Sequence, residues 1–225
     1  HDSIERYTGL GVDVVQGYAR IVDPWTVEIA RNDGTSQRLT TRSIVIAAGA
    51  APLVPDLPGL AESGYLTSDT LWETFARLDE IPRRIVVLGG GPIGSELAQA
   101  FARLGAQVTQ VERGEHLLPR EDEDVAAIAR AAQEASGVTV LTGHEAIRVE
   151  NGQDKHLVVS AGGEEQAIGF DALIVAVGRK ARLSGYGLEG LGIETQKTVV
   201  TDDYLATIYP NIYAAGDVAG PYQFT

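Results

Sequence analysis

The sequence predicts an α/β fold organised around a parallel β-sheet. From Pro82 onward, short apolar runs typical of strands alternate with helical patterns, and a glycine-rich segment joins the first such run to the first helix. The composition agrees with a folded chain, because 44% of the 225 residues are hydrophobic and 22% are charged. That length allows one large domain or two small ones.

The first part of the chain has the pattern of a small antiparallel meander. Short β-favouring runs occupy residues 14–15, 26–29 and 43–46, with turn signals at residues 23–24 and 32–34 between them. The last run passes directly into Ala47-Ala48-Gly49, where small side chains would let another group approach the backbone closely.

A proline-rich connector, residues 52–58, leads to a predicted helix. Residues 67–69 read Thr-Ser-Asp, a favourable N-cap cluster, and the apolar residues after it have helical spacing. These apolar residues are Leu71, Trp72, Phe75 and Leu78.

The middle of the chain predicts a parallel βαβαβ unit. Strands are expected at residues 84–88, 107–111 and 138–141, and helices at 93–104 and 122–135. A second meander is expected to follow, with strands at residues 146–150, 156–160 and 170–177. A last β-like run, within residues 210–217, ends in Gly216-Asp217.

Residues 89–94 read Gly-Gly-Gly-Pro-Ile-Gly and fit the pattern G-x-G-x-x-G between a strand and a helix. In that context Gly89 would permit a tight turn, Gly91 would leave bare backbone for a pyrophosphate, and Gly94 would allow close helix packing. The phosphates would then meet the N–H groups at the positive end of the helix. The alternative is a tight turn that binds nothing.

Glu112 ends the second strand of this unit, 23 positions after Gly89. An acid at about this distance binds the ribose hydroxyls in dinucleotide-binding folds and repels a 2′-phosphate, so NAD is favoured over NADP. Arg113 and Arg120 lie nearby in sequence and would soften that preference. The alternative for Glu112 is a solvated strand end.

Charge and composition exclude several kinds of partner. With 18 Lys and Arg against 31 Asp and Glu, the net charge of −13 disfavours nucleic acid and anionic membrane surfaces. No apolar run approaches the roughly 20 residues that cross a bilayer, and no signal-peptide pattern is present, so we expect a cytoplasmic location.

The absence of Cys excludes disulfides and dithiol chemistry within this chain. Because Met is also absent and His1 comes first, we expect the chain to belong to a longer protein.

No metal site is expected. The acidic run at residues 121–124 precedes an Ala-rich helix, where consecutive acids stabilise the helix dipole and do not share one helix face. His116, His144 and His156 have no partner at ligand spacing and no Ser or Cys in a catalytic arrangement.

Four separated motifs resemble one family in their order and spacing. They are residues 46–49, the loop 89–94 with Glu96 after it, residues 176–179 and residues 213–217. Together they resemble the pyridine nucleotide-disulfide oxidoreductases, and residues 96–105 are similar to the mercuric reductase and dihydrolipoamide dehydrogenase branches. The resemblance implies a Rossmann-like NAD-binding domain, a parallel sheet plus a β-meander, inserted between two parts of an FAD-binding domain. Residues 1–66 and 200–225 would be the FAD-binding parts, and residues 67–199 the NAD(P)-binding domain.

The resemblance also implies roles for residues on the flavin side. Ala48 and Gly49 would pack near the flavin nucleotide, and Arg179 would lie near the FAD pyrophosphate. Asp217, after Gly216, would accept hydrogen bonds from hydroxyl groups of FAD.

On the nicotinamide side, the resemblance places Glu96 near the nicotinamide ring and Gly178 behind the nicotinamide half of NAD. Pro92 stands where many relatives have a mobile residue that covers the flavin, and it belongs with Ile93 to the cofactor-binding loop. Arg113 would border the adenosine ribose.

The reaction implied by the resemblance passes a hydride from NAD(P)H through flavin to a disulfide, lipoamide or mercuric-ion acceptor, using a cysteine pair. A homodimer acting on a small-molecule substrate is implied for the full-length protein. Since this chain has no Cys, we expect it alone to bind NAD weakly and to have no reductase turnover. The alternatives are an NADH-oxidase-like or ferredoxin-reductase-like flavoprotein without a disulfide, or a non-catalytic nucleotide-binding module.

Overall fold

The computed structural model describes residues 3–220, which divide into two compact units named here for their order along the chain. The central unit is residues 51–180, and the flanking unit combines the residues up to 50 with those from 181 onward. Of the expected FAD-binding parts, residues 1–2 and 221–225 lie outside the described residues.

The strands and helices follow one another in a mixed order. The strands are β1 (Gly17–Asp23), β2 (Thr26–Arg31), β3 (Ser36–Thr40), β4 (Ile44–Ile46), β5 (Ala50–Pro52), β6 (Arg84–Leu88), β7 (Gln107–Glu112), β8 (Thr139–Thr142), β9 (Glu145–Glu150), β10 (Lys155–Ala161), β11 (Glu164–Phe170), β12 (Ala172–Val175), β13 (Arg179–Ala181) and β14 (Ile212–Ala214). The helices are α1 (Ile4–Gly9), α2 (Leu71–Phe75), α3 (Pro92–Arg103) and α4 (Glu123–Ala135), and short 3₁₀ turns occur at Ala61–Ser63, Glu189–Leu191 and Gly216–Val218.

The central unit is built on a four-stranded sheet in the order β12-β6-β7-β8. All of its neighbouring strands are parallel, which confirms the predicted α/β class and the βαβαβ unit. Helix α3 packs Leu97 and Phe101 against Ile85 and Val87 on one face of the sheet. The other face buries Val86, Leu88 and Val111 against side chains of the meander β9–β11. Because both faces are covered, β12 is apolar along its whole length and β6 is apolar from Ile85 onward.

The second meander is present, but its third strand differs from the prediction. That strand is β11, which pairs antiparallel with β10, whereas the predicted run 170–177 contains β12, which pairs in parallel with β6. The uninterrupted apolar sequence of β12 is typical of a strand buried on both faces, as its complete burial shows. Strand β11 was missed because its first residues are polar and exposed.

In the flanking unit, β1, β2 and β3 form an antiparallel meander, but of the three predicted runs only 26–29 belongs to it, as part of β2. The run 14–15 is not a strand, because strand pairing begins only at Gly17, and Val14 is exposed. The run 43–46 does form β4, but β4 pairs in parallel with β14 and does not join the meander. This pairing buries Ile44, Ile46 and Ile212 in the core of the unit.

The predicted helix at 71–78 is shorter than expected. Helix α2 ends at Phe75 and is preceded by Thr70, and residues 67–69 form a turn before it. Only one helical turn is supported by packing, because Leu71 is buried and Phe75 contacts the ring of Phe101 at a centroid distance of 5.2 Å. Trp72 and Leu78 are exposed.

The two units divide at residues 50/51 and 180/181, earlier than the expected domain boundaries at 66/67 and 199/200. The connector belongs to the central unit because Leu57, Leu60 and Tyr65 pack on the face of the sheet that carries the meander. Residues after 181 belong to the flanking unit because Leu188 and Val199 lie in its core. None of the helices formed by residues 3–220 has both the length and the apolar character that crossing a membrane requires.

Candidate nucleotide-binding site

The strand order of the central sheet reverses at β6. The chain continues from β6 through β7 to β8 on one side and returns to β12 on the other side of β6. In open α/β sheets such a reversal leaves a crevice at the carboxyl ends of the strands, and ligands bind there. The crevice between β6 and β12 is therefore the expected ligand-binding position of this sheet.

Gly89 lies at this carboxyl edge, directly after β6. Its amide donates to the carbonyl of Val111 on one side (2.8 Å), and its backbone φ is +121°. A Cβ atom at this position would collide with the carbonyl oxygen of Ala176, which follows β12. Only glycine therefore allows β6 to turn between its two neighbours.

Gly94 and Gly91 have opposite surroundings. A Cβ atom on Gly94 would collide with the carbonyl oxygen of Gly89, so the first turn of α3 packs directly on the turn that precedes it. Around Gly91, by contrast, nothing lies within 4 Å of the position a Cβ would take. The loop is thus closed beneath Gly94 and open in front of Gly91.

The start of α3 carries free backbone donors. Gly91 is the N-cap residue and Pro92 occupies the first turn, while the first amide of α3 to bond backwards is that of Ser95, to Gly91 (3.0 Å). Within residues 3–220, the amides of Gly91, Ile93 and Gly94 donate to no protein acceptor. Unpaired amides at the positive end of a 12-residue helix form an anion-binding arrangement.

The Glu112 side chain lies against this loop. One carboxylate oxygen accepts from the amide of Gly90 (2.6 Å) and the other from the amide of Gly114 (2.6 Å). A Cβ atom on Gly90 would stand 2.8 Å from the same carboxylate. Gly90 and Gly114 belong to the candidate site but were not predicted from the sequence, although Gly90 is the middle one of three consecutive glycines.

The segment after β7 is tied to the loop as well. Leu118 adopts a left-handed φ of 52° and donates its amide to the carbonyl of Gly90 (2.7 Å), while the preceding Leu117 is fully buried. Gly143, after β8, donates to the carbonyl of Gly114 (2.8 Å). The acid at the end of β7 is therefore held in place from several sides.

The remaining predicted residues near the loop differ in exposure. Arg113 and Glu96 are exposed, as is Pro92 at the start of α3. The side chain of Ile93 packs on the core beneath the helix, so its contribution to the crevice is its amide. Arg120, at the end of the segment after β7, is exposed too.

Gly178 follows β12 at the same carboxyl edge. It is exposed, has a φ of +140°, and accepts a hydrogen bond from the amide of Leu53 (2.9 Å). Arg179 is only 20% exposed and donates to the hydroxyl of Ser68 (3.1 Å), with Asp69 at 3.6 Å. The structure thus brings Gly178 to the sheet edge that carries Gly89 and engages Arg179 with the turn before α2.

The flanking unit has its own carboxyl edge, formed by β4 and β14. The parallel pairing of these strands brings the segment after β4 and the segment after β14 together. Gly49 has a φ of +66° and accepts from the amide of Arg182 (3.0 Å), and the side chain of Arg182 reaches the carbonyl of Ala48 (3.5 Å). Gly216 has a φ of +75°, and the half-buried Asp217 follows it in a 3₁₀ turn. A Cβ atom on either glycine would meet nothing within 4 Å.

Residues 3–220 contain no group of three His, Asp or Glu side chains placed to hold a metal ion. The acidic run begins α4, with Asp122 as its N-cap residue and two acids in its first turn, where they interact favourably with the helix dipole. His116 and His144 each place Nδ1 near a backbone carbonyl of a neighbouring residue.

A glycine turn at a strand reversal, with free helix amides and an acid at the end of the second strand, defines the class of dinucleotide-binding α/β domains. The chain belongs to the family of pyridine nucleotide-disulphide oxidoreductases, whose model matches residues 1–225. This confirms the resemblance seen in the sequence. Members of this family are FAD-dependent enzymes that use NAD(P)H.

Individual relatives agree with this assignment. The chain is 37% identical over 226 residues to a mercuric reductase of Staphylococcus aureus, covering 99% of this chain and 39% of that protein. It is 40% identical over 212 residues to a dihydrolipoyl dehydrogenase of Pseudomonas aeruginosa, covering 93% and 44%. Among solved structures, the HOCl-induced flavoprotein disulfide reductase RclA of Escherichia coli matches with a TM-score of 0.82 at 29% identity, covering 98% of this chain and 50% of that one. The chain thus spans half or less of each of these proteins.

Proposed function

We propose that the central unit binds NAD(H), and that the whole chain is the nucleotide-binding part of an FAD-dependent oxidoreductase. The observation that carries this proposal is the set of unpaired amides around the open backbone of Gly91, with the Glu112 carboxylate beside them. The amides of Gly91, Ile93 and Gly94 would hold the diphosphate. Such amides bind an anion without any basic side chain.

Glu112 would hold the adenosine ribose. Each of its carboxylate oxygens accepts one backbone N–H, and each retains a further lone pair for a hydroxyl group. An ionised carboxylate at this place repels a 2′-phosphate, so the proposed cofactor is NAD in preference to NADP. The exposed Arg113 and Arg120 would weaken that preference through their positive charge.

We place the FAD contacts of this chain at Ala48, Gly49, Gly216 and Asp217 in the flanking unit, with Arg179 as the expected contact to the FAD pyrophosphate. The two glycines fit a close approach of a bulky group, because each leaves open space in front of the backbone. When bound, the nicotinamide and the flavin supply the hydride chemistry. The residues of this chain bind and orient them; Gly178 and Glu96 are proposed to lie beside the nicotinamide, and Pro92 beside the flavin.

For the electron acceptor, we propose only the classes that the family implies. A disulfide, lipoamide or a mercuric ion would require a cysteine pair, and these 225 residues contain no Cys. The chain alone is therefore expected to reduce none of them. It keeps the proposed loop for NAD, which we expect it to bind weakly. A flavoprotein that lacks the disulfide, such as an NADH oxidase or a ferredoxin reductase, is the second candidate, because the same two nucleotide-binding motifs would serve it. We also propose that the full-length protein is a cytoplasmic homodimer. It would act on a small-molecule substrate and have no nucleic-acid or membrane partners.

Calorimetric titration of the purified protein with NADH and with NADPH tests the cofactor site. NADH is expected to bind more tightly than NADPH, and Glu112→Ala to weaken NADH binding by about tenfold while leaving NADPH binding equal or stronger. Glu115→Ala is the matched control, because Glu115 is an exposed acid in the same segment. Absence of NADH binding, or equal effects of the two substitutions, would overturn the proposal.

A further inference from the structure

Gln110 is a polar side chain in a place that the sheet would otherwise fill with an apolar one. It lies on β7, is completely buried, and projects from the same face as Val108 towards α3. A side-chain amide in such a place is stable only where its polar atoms find partners. The contacts of Gln110 therefore indicate what it does.

The amide nitrogen of Gln110 uses both of its hydrogens. It donates to the carbonyl oxygen of Gly89 (3.0 Å) and to the hydroxyl of Ser95 (3.2 Å). Because the Gly89 carbonyl only accepts, the nitrogen of the side-chain amide must face it. The contact thus joins β7 to the cofactor loop and to the first turn of α3.

The carbonyl of Gly89 and the N–H of Gly90 belong to one planar peptide group. Gln110 donates to the oxygen of this peptide, and Glu112 accepts from its N–H at 2.6 Å. Both side chains come from one face of β7, since they are two residues apart on a strand. The peptide that opens the loop is therefore held at both ends.

A second observation shows that this arrangement is not optimal for stability. The carbonyl oxygen of Gln110 is buried and has no hydrogen-bond partner within the described structure, and the same holds for Gln133. Gln133 donates to the backbone carbonyl of Ser95 (2.7 Å), and no hydrogen bond joins it to residues 89–94 in the part of the chain that the structure describes. An unpaired buried carbonyl lowers stability, so this side chain carries a cost that its two donated hydrogen bonds offset only in part.

We propose that Gln110 is a positioning residue for dinucleotide binding. By fixing the Gly89–Gly90 peptide together with Glu112, it orients the free amides of Gly91, Ile93 and Gly94 towards the diphosphate before the ligand arrives. This inference rests on the proposed function of the same loop. Fixing donors in the bound orientation raises affinity because less ordering is needed on binding.

The test is Gln110→Met, which keeps the length of the side chain and removes both its donor and its unpaired acceptor. We expect NADH to bind about three- to tenfold more weakly by calorimetry, the loss of about one hydrogen bond. The melting temperature is expected to change little, because the unpaired oxygen of Gln110 is removed while the Gly89 carbonyl and the Ser95 hydroxyl lose a donor. Gln133→Met is the matched control, with a similar change in melting temperature and unchanged NADH affinity.

A double substitution separates positioning from a general effect on the core. If Gln110 and Glu112 hold one peptide, Gln110→Met should weaken NADH binding less in a Glu112→Gln background than in the wild type. Unchanged NADH affinity in Gln110→Met, equal weakening by Gln133→Met, or strictly additive effects with Glu112→Gln would each overturn the inference. If Gln110→Met does not fold, Gln110→Asn, which withdraws the amide from Gly89, decides by the same criteria. A wild-type protein that does not bind NADH would overturn the proposed function and this inference with it.

Discussion

The turn after β6 and the strand ends of β4 and β14 are both carboxyl edges of parallel strands, yet they are built differently. The turn after β6 runs directly into the 12-residue helix α3 and is held by side chains of β7. The strand ends of the flanking unit lead into β5 and into the 3₁₀ turn Gly216–Val218. The first region carries aligned helix amides of its own, whereas the second contributes open space around two glycines and a carboxylate. The comparison shows that the free amides of the first region come from the helix that begins within it.

The largest expected effect is that of Gly89→Ala on stability. The added Cβ atom would collide with the carbonyl of Ala176, and its left-handed φ adds strain, so we expect a loss of about 3 kcal/mol or more in the free energy of unfolding. Urea denaturation measures it. Gly137→Ala is the control, because Gly137 has a φ of +90° in open space, and equal losses in the two variants would contradict this account.

Gly91→Ala should separate binding from stability. Gly91 has an ordinary φ of −73° and no neighbour near its Cβ position, so the free energy of unfolding should change by less than about 0.5 kcal/mol. The methyl group would occupy the space proposed for the diphosphate, and NADH should bind at least about tenfold more weakly by calorimetry. Gly190→Ala, also free of neighbours, should leave NADH binding unchanged. A Gly91→Ala variant with wild-type affinity would remove the diphosphate from this loop.

Gly49→Ala applies the same reasoning to the flanking unit. Its φ of +66° makes alanine costly by about 1–2 kcal/mol even though no atom stands in the way. We expect a lower flavin content per chain, measured by absorbance of the purified protein, and unchanged NADH affinity. If NADH binding fell while flavin content held, the assignment of separate cofactors to the two edges would be wrong.

The smallest effect concerns Asp171, which precedes β12 at the edge opposite to the crevice. The Arg84 guanidinium, bonded at 2.7 Å, lowers the pKa of the Asp171 carboxyl below its usual 3.8. A pKa lowered by folding adds stability that is fully present above about pH 3.8 and is lost as the pH falls through the folded value. Asp171→Asn should therefore lower the melting temperature slightly at pH 7, with the difference from wild type shrinking below pH 3.8. NADH binding at pH 7 should not change, and a difference in melting temperature that grew in acid would contradict the assignment.

Sequence patterns predicted the βαβαβ unit because its information is local. An apolar strand, a glycine turn and an amphipathic helix each have a distinct period over a few residues, and residues 84–141 contain all of them in succession. The predictions were wrong where the place of a strand in its sheet depends on which strand it pairs with. The run 43–46 has the same composition whether it pairs with β3 or, as found, with β14, and the polar start of β11 offers no strand pattern at all.

Some residues of the candidate site could likewise be predicted from the sequence, whereas others could be recognised only from the structure. Spacing predicts Gly89, Gly91, Gly94 and Glu112, because the glycines of a dinucleotide-binding loop and its ribose-binding acid stand at fixed separations along the chain. Gly90 and Gln110 do not, since their importance comes from contacts with Glu112 and with the Gly89 carbonyl. A glutamine within a strand is not distinguishable from a surface residue until burial on the α3 face is known.

By itself, the sequence determined the α/β class, the glycine loop with its acid, and the family, because all three depend on residue type at fixed separations along the chain. Only the tertiary structure decided that β12 lies beside β6, that residues 181–220 pack with residues 3–50, and that one peptide of the loop is held by two side chains of β7. These facts depend on contacts between residues far apart in sequence, and such contacts are selected by burial and by hydrogen bonds that no local pattern encodes.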